Sequence, residues 1–132
     1  MAGAIAVQYE APTRFARYTV ADGVAIPKYT LLQLTTPNTA SASSADNEVA
    51  AGIAMYEKVI SDGTTEITAA LDGVWGLSTK AEAITVGNEV TLNGANEIKV
   101  YTTLDNEKGY VLGKALETIG ATSTVIKVRL NI

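Results

Sequence analysis

Short apolar segments recur along the whole chain, and Gly, Asn, Asp or Pro interrupts them about every 8–12 residues. Residues 97–101 (EIKVY) and 124–130 (TVIKVRL) alternate polar and apolar side chains with a period of two, which is typical of half-buried strands. The pair Asn93-Gly94 is the strongest hairpin signal in the chain. The pattern therefore predicts an all-β fold, a compact β-sandwich or barrel of about eight or nine short strands.

Three stretches depart from this simple pattern. Residues 49–60 and 110–119 could each form a strand or a short helix, although Gly52 favours a strand in the first and Gly113 weakens a helix in the second. Residues 36–48 (TPNTASASSADNE) are rich in Ser, Ala and Asn and can bury little apolar surface. We expect a mobile surface loop or a hairpin tip there.

The chain contains a weak internal two-fold repeat. Residues 25–34 (AIPKYTLLQL) and 83–92 (AITVGNEVTL) share their first two residues and their last one, 58 positions apart. The phrase Gly-x-Ala-apolar then follows in both halves, at residues 52–55 and 113–116, which lie 61 positions apart. The shared order favours a duplication within one closed β-domain, because two repeats are too few for a solenoid. The pseudo-repeats span about residues 22–71 and 80–130.

We predict that residues 1–20 form an extended N-terminal arm on a single β-domain at residues 21–132. The arm has no helical period, but it gathers two cations and two aromatic side chains: Arg14, Phe15, Arg17 and Tyr18. Its net charge is +1, so the total of −4 leaves −5 for the rest of the chain. Two interpretations remain open, a merely soluble terminus or an arm that docks on a partner through these side chains.

The composition lacks the residues most used in catalysis and metal binding. Without Cys, disulfides and thiolate sites are excluded, and without His the commonest general base and metal ligand are missing. The acidic residues stand singly beside Gly, Asn or Ser, as turn residues do. Calcium ligation is the residual alternative, with no EF-hand loop to support it. We predict that the protein is not an enzyme and has no catalytic residue, metal site, cofactor or small-molecule substrate.

Charge and hydropathy also narrow the range of partners. A net charge of −4 and a pI near 4.7 argue against binding to nucleic acid or to an anionic membrane. No stretch approaches the length of a membrane span, and the first residues lack the charged flank of a signal peptide. We therefore expect synthesis in a cytoplasm.

Trp75 is the only Trp and lies in the Gly-flanked segment Gly73-Val74-Trp75-Gly76. A large aromatic side chain in a short apolar strand is typical of a core or subunit-interface anchor. The alternative is an exposed platform on which a sugar ring stacks.

Several phrases together resemble one protein family. They are Asp72-Gly73-Val74-Trp75 followed by AITVGNEVTL at 83–92, then GKALE at 113–117 and the closing strand TVIKVRL at 124–130. This order is similar to that of phage capsid cement proteins, or head decoration proteins, of the small β-domain type. The resemblance extends from about residue 20 to the end of the chain.

The resemblance implies a structural virion protein without catalysis. Such a protein binds the outer surface of an icosahedral phage capsid, stabilises the expanded shell, and is a homotrimer that clamps neighbouring copies of the major capsid protein. It would be made in the host cytoplasm and reside on the capsid exterior. The arm (Arg14, Phe15, Arg17 and Tyr18) is then the expected capsid contact, through strand addition to a capsid edge.

A second hypothesis is a carbohydrate- or receptor-binding β-module of a fibre or surface complex. Trp75 and the Tyr residues would then form an exposed platform, and a fully buried Trp75 would count against this function. A His-free enzyme that uses carboxylates or Lys is the remaining alternative.

Overall fold

The computed structural model describes residues 5–44, 48–101, 111–122 and 124–132. Within these ranges the chain forms eleven strands and no helix, so the described part contains no helix that could cross a membrane. The strands are β1 (Val7–Glu10), β2 (Phe15–Thr19), β3 (Leu31–Thr36), β4 (Thr39–Ala42), β5 (Ala50–Ala54), β6 (Glu66–Ala70), β7 (Asp72–Thr79), β8 (Glu89–Leu92), β9 (Glu97–Val100), β10 (Val111–Ala115) and β11 (Val125–Asn131).

The strands form two closed barrels of five strands each. The first barrel has the order β2-β4-β3-β5-β6, and β6 pairs back with β2. The second has the order β7-β11-β10-β8-β9, and β9 returns to β7 in a parallel pairing at Ser78 and Thr79. β1 lies antiparallel to β7 at the edge of the second sheet. The predicted all-β fold is confirmed, and of the two architectures that the sequence left open, sandwich or barrel, the chain forms barrels.

The described residues contain more strands than the eight or nine predicted, because β1 and β4 were not expected. β4 lies in the Ser/Ala-rich stretch 36–48, where it forms an antiparallel hairpin with β3. Residues 45–47 of that stretch lie outside the described residues. Nine of the sixteen described residues of the predicted arm lie in the two sheets, since β1 pairs with β7 and all five residues of β2 pair with β6.

The predicted two-fold repeat is confirmed as a repeat of topology. Every pairing in the first barrel has a counterpart in the second, with β2 to β6 corresponding in order to β7 to β11. The isolated bridge Ile26–Lys58 corresponds to Ile84–Ile119 in the same way. One consequence of the repeat is a strained residue: Tyr29, with a φ of 69°, stands where the second barrel has Gly87, with a φ of 90°.

Two glycines explain why both ambiguous segments are strands. A Cβ on Gly52 would overlap the backbone carbonyl of Ala70, and one on Gly113 would overlap the carbonyl of Arg129. Each glycine therefore lets its strand approach the neighbouring strand more closely than any other residue would allow. The local sequence permits a short turn of helix, but the tertiary packing of the barrels decides the outcome.

One apolar core joins the two barrels. Trp75 of β7 is fully buried, and it packs with Leu31, Ile53 and Ala70 of the first barrel in a single cluster. The ring of Tyr29 meets the indole edge-on, with 5.2 Å between the ring centroids. A smaller cluster fills the interior of the first barrel, around Ile26, Leu32, Ala51 and Ala69.

Candidate functional site

The N-terminal strand β1 forms an open edge on an otherwise closed architecture. It pairs with β7 on one side, and in the described part of the chain no strand pairs with its other side. All four of its residues are exposed, including the apolar side chains of Val7 and Tyr9. The Tyr9 ring lies over Gly76, where a Cβ would be only 2.8 Å from ring atom Cε2, and the Lys127 ammonium lies 4.8 Å from the ring centroid.

Arg14 connects the start of β2 to the region where the two barrels meet. Its guanidinium donates hydrogen bonds to the carbonyl of Ile132 (3.1 Å) and to Oδ1 of Asn131 (3.3 Å). The Asp72 carboxylate accepts three hydrogen bonds from the same segment. The donors are the Thr13 hydroxyl (2.7 Å), the Thr13 amide (2.7 Å) and the Arg14 amide (3.0 Å). The Thr13 hydroxyl, followed by the Arg14 amide, holds the pKa of Asp72 below its usual value. Arg14 is therefore largely engaged within the chain.

Phe15 and Arg17 lie on the solvent side of β2. Phe15 is 51% exposed, and the Arg17 side chain is 70% exposed. Arg17 pairs with Glu66 at 3.4 Å, but both side chains are solvated, so the pair contributes little to stability. Both side chains are accessible to another surface.

Tyr18 points to the other face of β2. It is half-buried against the core of the first barrel, and burial raises the pKa of its hydroxyl. The four predicted arm residues thus lie together on one short segment, but they divide by geometry: Phe15 and Arg17 face solvent, whereas Arg14 and Tyr18 attach the segment to the barrels.

Trp75 belongs to the core that joins the barrels. Its indole N–H donates to the carbonyl of Asp72 (3.0 Å), and no part of the residue is exposed. A buried ring cannot stack on a sugar, so the structure gives no support to a binding platform built on Trp75.

Two open clefts flank these strands. One, of about 590 Å³, is lined partly by Arg14, Asp72, Glu89, Lys114 and Arg129, and the other, of about 420 Å³, partly by Arg17, Tyr56, Glu57 and Glu66. Both contain opposite charges close together: Arg14 lies 3.8 Å from Asp72 in the first cleft, and Arg17 lies 3.4 Å from Glu66 in the second. Among the described residues, no group of three or more acidic side chains could hold a metal ion. These exposed, mixed-charge surfaces suit recognition of another macromolecule.

Sequence reasoning missed the open edge of β1. Val7 and Tyr9 alternate with Gln8 and Glu10, so the period of two was present, but the segment is only four residues long. A second indication of where β1 pairs was Gly76, which makes room for the Tyr9 ring but lies far from β1 in sequence.

Comparisons with known proteins agree with this architecture. The N base of head fiber gp8.5 in bacteriophage phi29 has a similar fold, with a TM-score of 0.54 over 89% of this chain and 95% of that one, at 16% sequence identity. Among curated proteins, none matches the chain. The sequence profile of the phage cement protein family matches residues 17–130, which include β2 from Arg17 onward, all of β3 to β10 and nearly all of β11. The chain therefore belongs to the phage cement protein family, and it is a structural protein associated with the phage head.

Proposed function

We propose that this protein binds the outer surface of an icosahedral phage capsid and stabilises the expanded shell. The single observation that carries the proposal is the family match over residues 17–130, since a cement protein acts by joining subunits of a shell. The protein does this without catalysis, cofactor or small-molecule substrate, and it binds neither nucleic acid nor membrane. It is made in the host cytoplasm and resides on the capsid exterior.

The proposed capsid contact is the exposed surface of the first two strands. Phe15 supplies apolar area and Arg17 supplies a cation for a carboxylate, while Arg14 and Tyr18 hold the segment in place. The open edge of β1 can pair with an extended segment of the major capsid protein, which would add main-chain hydrogen bonds. We therefore propose the major capsid protein as the partner.

The proposed assembly is a homotrimer. Three chains that meet three neighbouring capsid subunits bind by avidity, so each individual contact can be modest. Light scattering after size-exclusion chromatography tests this state: a monomeric mass at micromolar concentration contradicts the trimer in solution.

Co-sedimentation with empty heads tests the proposed function. The wild-type protein is expected to pellet with expanded heads and to raise the temperature at which those heads rupture. Truncation is a poor test, because removal of residues 1–20 deletes β2 and opens the first barrel. The variant Phe15→Ser/Arg17→Ser leaves the β2 ladder intact, and we expect it to bind at least about tenfold more weakly.

The matched control is Val86→Ser, an equally exposed apolar residue on a loop of the second barrel. It is expected to bind as the wild type does. Absence of wild-type binding to expanded heads contradicts the function, whereas equal binding by the Phe15/Arg17 variant contradicts only the assignment of the contact.

A further inference from the structure

The loops at one end of the first barrel expose a cluster of apolar side chains. Val59 and Ile60 follow directly after Lys58, and extension of the antiparallel bridge Ile26–Lys58 by two residues brings Val24 across from Ile60. The Lys58 ammonium ties these loops together, since it donates to the carbonyls of Val24 (2.8 Å) and Val59 (3.3 Å). The four exposed apolar residues of these loops, here called the apolar tip, are Val24, Tyr56, Val59 and Ile60.

Hydrogen bonds within the loops hold the apolar tip in one conformation. The buried Lys58 ammonium also donates to the carbonyl of Asp22 (2.7 Å). The Asp62 carboxylate accepts from the backbone amide of Val59 (3.1 Å), and the Asp22 carboxylate accepts from that of Gly63 (2.9 Å). A loop fixed in this way loses little conformational freedom when its side chains meet a partner, which favours binding.

The second barrel has no such tip. Its loops share the topology of the first barrel, and Ile119 takes the position of Lys58 in the corresponding bridge to Ile84. The residues at the positions that correspond to the apolar tip are Glu82, Glu117, Gly120 and Ala121. The loops of the second barrel expose Val86 and Leu116 elsewhere, but none of the four corresponding positions carries a large apolar side chain. Since the same fold forms with these residues, folding does not require apolar side chains at the tip positions, and the exposed group on the first barrel marks an interaction surface.

We infer that the apolar tip is a second point of attachment to the phage shell, where it enters an apolar recess edged by Lys or Arg on a shell protein. This inference rests on the proposed function. The tip loops carry the carboxylates of Asp22, Glu57 and Asp62 against the ammonium groups of Lys28 and Lys58, which leaves one net negative charge around the apolar side chains. A basic edge on the partner complements this charge.

The same charge argues against a second copy of this chain as the partner that contacts the apolar tip. Two tips that face each other across a two-fold axis would bring two net negative charges together and leave neither compensated. A shell protein is further supported by continuity, because Tyr56 and Glu57 line the 420 Å³ cleft together with Arg17, which we propose to contact the capsid. The tip and the β2 surface can therefore meet the same partner.

Co-sedimentation of point variants with expanded heads tests this inference. We expect Val59→Ser/Ile60→Ser to bind about tenfold more weakly than the wild type, and Tyr56→Ser to be weakened in the same direction. The matched control is Val86→Ser, because Val86 is 57% exposed and Ile60 is 58% exposed. We expect the control to bind like the wild type. The near-UV circular dichroism of Trp75, which lies far from these changes in sequence, reports whether each variant keeps the native core.

Charge reversal tests the chemistry of the partner. We expect Glu57→Lys to weaken binding as well, since it places a cation against the basic edge of the recess. Stronger binding by Glu57→Lys overturns the assignment of a basic edge.

Each remaining outcome decides between the two proposals. Wild-type binding with unchanged affinity of the Val59/Ile60 and Tyr56 variants overturns the inference and leaves the proposed function standing. No wild-type binding to expanded heads overturns both. If sedimentation velocity shows that the Val59/Ile60 variant loses its oligomeric state while its affinity for heads is unchanged, the occupant is a second copy of the chain and the inference is wrong.

Discussion

The buried ammonium of Lys58 donates a 2.7 Å hydrogen bond to the backbone carbonyl of Asp22 and lies 3.7 Å from the carboxylate of the same residue. Removal of the buried ammonium leaves the carbonyls of Asp22, Val24 and Val59 without this donor. We expect Lys58→Met to lower the free energy of unfolding by about 3 kcal/mol, measured by urea denaturation. Ile119→Met, at the corresponding position of the second barrel, is the control and should lower it by less than about 1.5 kcal/mol. Equal losses would contradict the role of the ammonium.

Acid should destabilise the protein through two carboxylates that accept hydrogen bonds. The pKa values of Asp62 and Asp72 both lie below the usual value of 3.8. The largest cause is the hydrogen bond from the Thr64 amide for Asp62 and the hydrogen bond from the Thr13 hydroxyl for Asp72. The stability that these carboxylates contribute is complete above pH 3.8, and it is lost as the pH falls below 3.8 through their lower folded values. The thermal unfolding temperature should therefore fall as the pH is lowered from about 6 to about 2, and Asp72→Asn should make this fall smaller. Identical pH profiles for the wild type and Asp72→Asn would exclude this explanation.

Gly113 should not tolerate a side chain. A Cβ there would overlap the carbonyl of Arg129, which belongs to the neighbouring strand and cannot move without disturbing the β10–β11 ladder. We expect Gly113→Ala to lower the free energy of unfolding by about 2 kcal/mol or more. Gly120→Ala, where no atom lies within 4 Å of the added Cβ, should change it by less than about 0.5 kcal/mol. Chemical denaturation of both variants measures the difference, and a neutral Gly113→Ala would contradict the close approach of the strands.

Trp75 provides a spectroscopic test of the core between the barrels. Because the indole is fully buried and held by the Asp72 carbonyl, its fluorescence should be blue-shifted and protected from quenching by iodide in the native protein. Denaturation should remove the protection. Quenching of the native protein at the rate of free tryptophan would place the ring at the surface and revive the sugar-binding hypothesis.

Strands with a clear local signal were predictable from the sequence. The Asn93-Gly94 pair correctly marked the hairpin between β8 and β9. β11 differs from its prediction by only one residue at each end. The prediction was this close because residues 124–130 alternate polar and apolar side chains, as a strand with one face on the core does. These elements depend on neighbouring residues, so the local pattern is sufficient.

Features that depend on distant partners were not predictable in the same way. β4 consists of Thr, Ala and Ser, which bury little area, and it is a strand because β3 supplies its hydrogen bonds. The engaged state of Arg14 depends on Asp72, 58 residues away in sequence. The apolar tip could have been found by aligning the two halves, since the replacement of Ile119 by Lys58 signals a change of environment.

Leu71 is the single residue between β6 and β7, and it joins the two barrels. Its amide donates to the carbonyl of Arg14 (3.0 Å), and its own carbonyl accepts from the amide of Ile132 (3.0 Å). A joint of one residue with both backbone groups occupied cannot serve as a hinge. In mechanical terms the chain therefore transmits torque: a partner that fixes the orientation of the first barrel also fixes the direction in which the second barrel presents its loops.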